Sequence, residues 1–175
     1  MKNTALVVFL MLLVCGQASA ATITVSPEQS SVLFRVNHDL GYNVGYFKDF
    51  SATLELGDDP AKILNAQIQV ITASINTRNA VRDEGLKSAL FLDAGQFPQA
   101  TFESAKIEDG QITGTLTLKG VARPMVFKVE RIDGKVLLKG TINRNDFGIT
   151  YNKLMVDKRK SIGDAVDLII ELKVS

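Results

Sequence analysis

The chain has 175 residues, 46% of them hydrophobic, with 20 basic residues against 19 acidic ones. That length suits one domain, and the near-neutral balance supplies no basic field for nucleic acid or for an anionic membrane surface. His38 is the only histidine and Cys15 the only cysteine, which excludes a histidine-based triad or a histidine-rich metal site within one subunit.

The first twenty residues read as a secretory leader. Met1, Lys2 and Asn3 form a short basic start. Ala5 to Val14 is an unbroken apolar run, too short to span a bilayer well. Ala18-Ser19-Ala20 then supplies the small residues of a cleavage site. Cys15 offers a rival reading as a lipoprotein anchor, but that signal wants a small residue before the cysteine and Val14 stands there. Cleavage after Ala20 leaves 155 residues (175 minus 20) and removes both Cys15 and Lys2, so 19 basic residues face 19 acidic ones. The reading predicts an exported protein of the bacterial periplasm. Its single domain over 21–175 has no disulfide and no stable membrane insertion once the leader is gone. A chain of that size can bury enough core to manage without a disulfide.

From residue 21 onward strand patterns dominate. Val32, Phe34 and Val36 alternate with Leu33, Arg35 and Asn37. Phe50, Ala52, Leu54 and Leu56 share a face, and that run stops at Gly57-Asp58-Asp59-Pro60. Ala66, Ile68 and Val70 alternate with glutamines. Arg78 to Leu92 breaks the rhythm: Arg82, Leu86 and Leu90 recur at four-residue spacing with Val81 beside them, which predicts a helix. Gly85 inside it costs about 1 kcal/mol against alanine, so the helix should be short or irregular.

Phe102 lies in a run that ends at Glu108-Asp109-Gly110. Gly114, Leu116 and Leu118 then alternate with Thr115, Thr117 and Lys119. Met125, Phe127 and Val129 follow, then the hairpin signal Asp133-Gly134, then Val136, Leu138, Gly140 and Ile142. The last strand carries Val166, Leu168, Ile170, Leu172 and Val174 on one face. About eight antiparallel strands in meander order close into a barrel or fold into a sandwich, and a lone helix most usefully covers an open barrel end.

Catalytic equipment is sparse. The adjacent carboxylates Asp83-Glu84 and Asp58-Asp59 point apart and read as surface charge, and Lys158-Arg159-Lys160 as a solvated turn. No stretch supplies the alternating oxygen ligands of a calcium loop, and no glycine-rich phosphate loop is present. The sequence predicts no metal and no cofactor. Binding is better supported, because an eight-stranded barrel can hold one small ligand. Gly114 and Gly140 sit on faces otherwise filled by large apolar residues. They mark either space kept for a ligand or a bend or bulge. The unbroken alternation from Gly114 to Lys119 favours space.

Several ordered segments together resemble the YceI-like family of secreted, lipocalin-resembling polyisoprenoid-binding proteins. These are "SSVLFRVNH" (Ser30 to His38), "SINTRNAVRDEGLKSALFLD" (Ser74 to Asp93), "FPQATFES" (Phe97 to Ser104), "GTLTLKGVARPM" (Gly114 to Met125), "NRNDFGI" (Asn143 to Ile149) and "IGDAVDLIIEL" (Ile162 to Leu172). Two positions depart from the family pattern. Ser30-Ser31 stands where histidine-serine is common, and Arg82-Asp83-Glu84-Gly85-Leu86 where arginine-aspartate-x-histidine-leucine is common. If those histidines orient a head group in relatives, this chain holds a different head group or none.

The resemblance implies an all-β fold, an extended eight-stranded antiparallel lipocalin-like barrel with a short helix over one end. It also implies a long apolar tunnel for an isoprenoid or other long-chain lipid. The expected tunnel residues are Phe34, Val36, Leu54, Ile68, Val70, Leu86, Leu90, Phe102, Gly114, Leu116, Phe127 and Phe147. His38, Arg82, Asp83 and Arg144 form a candidate polar rim, with Arg82-Asp83 alternatively tying helix to rim and Arg144 with Asp146 bracing the loop before Phe147-Gly148. Three readings stay open: a non-enzymatic lipid carrier, an enzyme acting on such a lipid, and a stress or interaction protein with a filled barrel. Pairing of two barrels into a homodimer stays open as well.

Overall fold

The computed structural model describes residues 21–25, 27–59, 62–154, 157–159 and 161–174. The leader expected at 1–20, with Cys15 and the cleavage site, lies outside the described residues, as does Lys160 of the basic turn. The strands are β1 (Ala21–Val25), β2 (Ser31–His38), β3 (Gly41–Phe47), β4 (Phe50–Leu56), β5 (Ile63–Ile71), β6 (Ile75–Asn76), β7 (Gln99–Glu108), β8 (Gln111–Leu118), β9 (Val121–Ile132), β10 (Lys135–Asn143) and β11 (Ile162–Lys173). The helix α1 spans Ala80–Lys87. No helix among the described residues is long and apolar enough to cross a membrane.

All strand pairs are antiparallel, in the order β1-β4-β5-β7-β8-β9-β10-β11-β2-β3-β6. This order closes on itself. β3 runs into β4 through Lys48 and Asp49 alone, and β5 into β6 through a single 3-10 turn, Thr72–Ser74. The two long strands bend at the same level: the amide of Lys48 donates to the Ser74 carbonyl at 3.1 Å and that of Ile71 to the Asp49 carbonyl at 3.0 Å. β1 and β2 pair in succession with β4 and β3. Eleven hydrogen-bonded segments are therefore eight long strands, three of them interrupted, and β11 against β2 completes the ring. The meander order holds because the turns force it. Asp109-Gly110, Lys119-Gly120 and Asp133-Gly134 all take positive φ at both positions, between 49° and 75°, which is the two-residue turn matched to the twist of a hairpin.

The helix is shorter than the pattern over 78–92 predicts. Asn79 caps it by accepting from the Arg82 amide at 3.0 Å. It ends at Lys87, where the amide and hydroxyl of Ser88 both donate to the Gly85 carbonyl. Past that stop the four-residue spacing loses its meaning. Leu90 turns outward and is 50% exposed, whereas Phe91 and Leu92 are buried.

Gly114 and Gly140 correct the expectation of reserved space. Ser104 pairs with Gly114 but Lys106 with Thr113, so Ala105 is an extra residue in β7. This bulge brings the β7 backbone against β8. A Cβ at Gly114 would meet the Glu103 carbonyl oxygen at 2.2 Å and the Phe102 ring at 2.8 Å. The alternation of β8 is unbroken because the extra residue belongs to its partner. At Gly140 the place of a side chain is taken by Met125, whose Cε would lie 2.2 Å from a Cβ there.

Gly114→Ala is therefore predicted to destabilise by about 2–4 kcal/mol through backbone displacement. Gly57→Ala, whose Cβ would find only ordinary contacts from 3.6 Å, should stay within about 1 kcal/mol. Urea unfolding of both variants measures the difference.

Candidate functional site

The interior is filled unequally. Near the β9–β10 turn and the end of β11, Ile112, Val136, Leu138 and Leu172 are wholly enclosed, and Leu54 joins them. The half beneath α1 instead holds a cavity of about 460 Å³, within the range of small-molecule sites. Its floor is a layer of Val32, Ile68, Phe102, Leu116, Phe127 and Ile170. Phe102 and Phe127 meet edge to face in that layer, 5.0 Å between centroids at 89°. Phe34 and Val36 of β2, Val70 of β5, and Val166 and Leu168 of β11 make the walls. Leu86 of α1, the buried Phe91 and Leu92 after it, and Ile149 and Leu154 form the roof. The predicted tunnel is thus a blind pocket, stopped by the packed half of the barrel. It reaches the surface between the β2–β3 turn and α1, since Leu40 and Val81 line it while 59% and 73% exposed.

Two polar clusters hold the roof. In the first, Asp83 is buried and accepts from both the amide of Thr77, at 2.8 Å, and its hydroxyl, at 2.5 Å. Arg82 donates from Nε to the same hydroxyl at 2.8 Å, from Nη2 to the Thr77 carbonyl at 2.9 Å, and from Nη1 to Oδ1 of Asn43 on β3 at 2.9 Å. Arg82 and Asp83 thus meet through Thr77, and the cluster ties α1 to the barrel wall.

The second cluster is Arg144, on the 3-10 turn Arg144–Phe147 after β10 and only 4% exposed. Its five N–H groups find five acceptors. Nε donates to the Gly163 carbonyl at 2.9 Å; Nη1 to those of Ile149 and Tyr151 at 2.5 and 2.9 Å; Nη2 to that of Ile162 at 3.2 Å and to Asp164 Oδ1 at 2.8 Å. These carbonyls belong to irregular backbone. Ile162 faces His38 while Val166 faces Val36, so three residues of β11 oppose Asn37 alone. One planar guanidinium satisfies groups that no ladder reaches. Its carboxylate partner is Asp164, where the sequence suggested Asp146 as the companion brace.

Of the residues predicted to line the site, Phe34, Val36, Ile68, Val70, Leu86, Phe102, Leu116 and Phe127 surround the cavity, with His38, Arg82 and Arg144. Leu54 and Phe147 are packed into the main core, Leu90 is on the surface, Gly114 is at the bulge, and Asp83 is buried beneath α1. His38 sits at the mouth, with its Nδ1 accepting from the Leu40 amide at 3.1 Å. The sequence reading missed the roof residues Phe91, Leu92, Ile149 and Leu154, the wall residues Val166 and Leu168, and the floor residues Val32 and Ile170. Val166 could have been found from the alternation of the last strand; the segment from 149 to 161 carries no periodicity to read. Among the described residues no group of three His, Cys, Asp or Glu side chains could hold a metal ion.

A family profile described as the YceI-like domain matches residues 23–174. The chain belongs to the YceI-like family. Among its relatives, the UPF0312 protein SA2479 of Staphylococcus aureus (strain N315) is 33% identical over 144 residues, covering 75% of this chain and 84% of that protein. In three dimensions the YceI-like domain resembles BcnA of Burkholderia cenocepacia, with a TM-score of 0.68 and 25% identity over 85% of this chain and 98% of the other. It shares its fold with a polyisoprenoid-binding domain from Saccharophagus degradans, with a TM-score of 0.60 and 15% identity over 90% of this chain and the whole of the other.

Replacing Arg144 tests its part in this YceI-like domain. Arg144→Met leaves four buried or half-buried carbonyls and the exposed Asp164 carboxylate without their donor and should cost about 3 kcal/mol, and Arg144→Lys should recover only part, because one ammonium cannot span them. Thermal and urea unfolding read the loss. Equal stability of the lysine variant and the parent would contradict the five-fold role.

Proposed function

We propose that this domain is a non-enzymatic binding protein that holds an isoprenoid or similar long-chain lipid in the blind cavity, acting as a carrier or store in the periplasm. The observation that carries the reading is the cavity itself. Apolar side chains line about 460 Å³ without filling it, so this half forgoes the packing contacts that a solid core would make. A void so large and so apolar fits an occupant better than a structural accident. Each buried methylene of a lipid tail contributes about 0.8 kcal/mol. A ten-carbon tail thus offers roughly 8 kcal/mol before association costs remove several of them.

Binding is favoured over catalysis because the charged groups at the cavity are already engaged. Arg82 is held by Thr77 and Asn43, Asp83 by Thr77, and Arg144 by the roof backbone. The resemblance to the Saccharophagus degradans domain concerns the fold, so the ligand class rests on the chemistry of this cavity and on the family. Export follows from the leader-like first twenty residues.

Organic extraction of protein purified from its exported fraction, followed by mass spectrometry, tests the reading. One dominant long-chain lipid is expected. A chemically altered lipid favours the enzyme, and no lipid favours the filled-barrel interaction protein. Val166→Trp, which puts an indole into the wall, should lower lipid occupancy about tenfold while stability changes by about 1–3 kcal/mol. Thr115→Phe, on the exposed face of β8, should leave occupancy unchanged in native mass spectrometry.

A further inference from the structure

We propose that the mouth of the cavity docks transiently on an anionic lipid bilayer, so that an apolar ligand passes between membrane and pocket without crossing water. The proposal rests on the lipid-binding reading above and adds the surface through which the lipid moves.

The first observation is an apolar lip continuous with the cavity. Leu40 and Val81 line the pocket and are also exposed. Tyr42 and Val44 extend that lip along the outer face of β3 and are exposed too. Exposed apolar residues occur singly on most proteins, but a contiguous group at the entrance of an apolar pocket marks a contact surface. The guanidinium of Arg35 lies 4.4 Å from the centre of the Tyr42 ring. An aromatic ring beside a cation is the combination that settles at the head-group level of a bilayer.

The second observation is the charge around the lip. Asp39, next to Leu40, is bonded twice to Ser161: its amide donates to the Ser161 carbonyl at 3.2 Å, and its Oδ2 accepts from the Ser161 amide at 2.7 Å. Lys153 bridges to Ser161 from the other side. These contacts bring the basic turn with Lys158 and Arg159 to the mouth. Arg78 stands exposed between Thr77 and Asn79, which both line the pocket. Five basic residues (Arg35, Arg78, Lys153, Lys158, Arg159) thus stand against three acidic ones (Asp39, Asp157, and Asp167 across from Arg35 on β11), with Arg159 paired to Asp157. The neutral total of the mature chain conceals a local excess of two positive charges around this apolar opening. Each basic side chain near an anionic leaflet adds to the attraction, and the contribution is screened by salt.

Vesicle flotation with the leader-free chain tests the proposal. The wild type should float with phosphatidylcholine/phosphatidylglycerol vesicles, far less with pure phosphatidylcholine, and less again at high salt. Leu40→Asp combined with Val81→Asp should reduce flotation about tenfold, through lost apolar insertion and added negative charge. Ile132→Asp, an exposed apolar position at the distant β9–β10 turn, should float like the wild type; thermal unfolding of all three proteins confirms that they fold. No flotation of the wild type with anionic vesicles, flotation independent of vesicle charge, or an equal loss in the Ile132→Asp control would overturn the docking surface. Lipid occupancy measured on the same wild-type preparation separates the two readings. Occupancy without flotation removes the docking surface alone, whereas flotation without occupancy supports docking and removes the carrier reading.

Discussion

A ring of eight antiparallel strands encloses an interior whose volume is set by strand number and tilt, and the inward side chains either fill it or leave it hollow. This chain does both. In one half, leucine, isoleucine and valine side chains meet across the axis and leave no exposed surface. In the other, the inward residues of β2, β5, β7, β8 and β11 surround the cavity, and Phe34, Leu118, Val166 and Leu168 pack with Phe91, Leu92 and Ile149 around it. The edge-to-face pair Phe102–Phe127 is the boundary. Below it the barrel is a core; above it the barrel is a container.

A hollow end has to be roofed without filling it, and this determines where the polar side chains go. The roof consists of α1, the turns after it, and irregular backbone from 149 to 154, tied to β11 only through the Asn152 carbonyl and the Lys153–Ser161 bridge. Two arginines supply what a sheet would have supplied. Arg144 gathers Ile149, Tyr151, Ile162 and Gly163, and Arg82 joins Thr77 to Asn43 across the gap between helix and wall. These are the charged residues that a search for chemistry would single out, and their hydrogen bonds are spent on architecture. The mouth lies beside the Arg82 cluster. A motion that admits a long ligand must loosen contacts there before it disturbs the ring, whose ladders belong to the most stable part of the structure.

The repeating features were legible in the sequence. Period-two alternation located the strands, the Asp-Gly pairs located two of the hairpin turns, and the ordered segments pointed to the family. Features that depend on two chain segments at once were not legible. A bulge at Ala105 determines what Gly114 can be, and nothing within β8 reports it. Lys119-Gly120 also escaped notice as a turn, because it lies inside a run that otherwise alternates. The helix pattern overran because apolar residues continue at the same spacing after Ser88 has stopped the helix, so Leu90 was assigned inward in place of Phe91 and Leu92. Arg144 looked like a rim residue because its five acceptors come from segments up to twenty residues away.

The central claim is that the half beneath α1 is an apolar container of limited depth with a closed floor. Calorimetric titration with isoprenoid alcohols of increasing chain length measures this directly. Each added methylene that still finds wall should improve affinity about fourfold, equivalent to about 0.8 kcal/mol, with a negative heat-capacity change. The gain should stop once the tail reaches the Phe102–Phe127 floor. Affinity independent of chain length, or no binding at any length, would contradict the account.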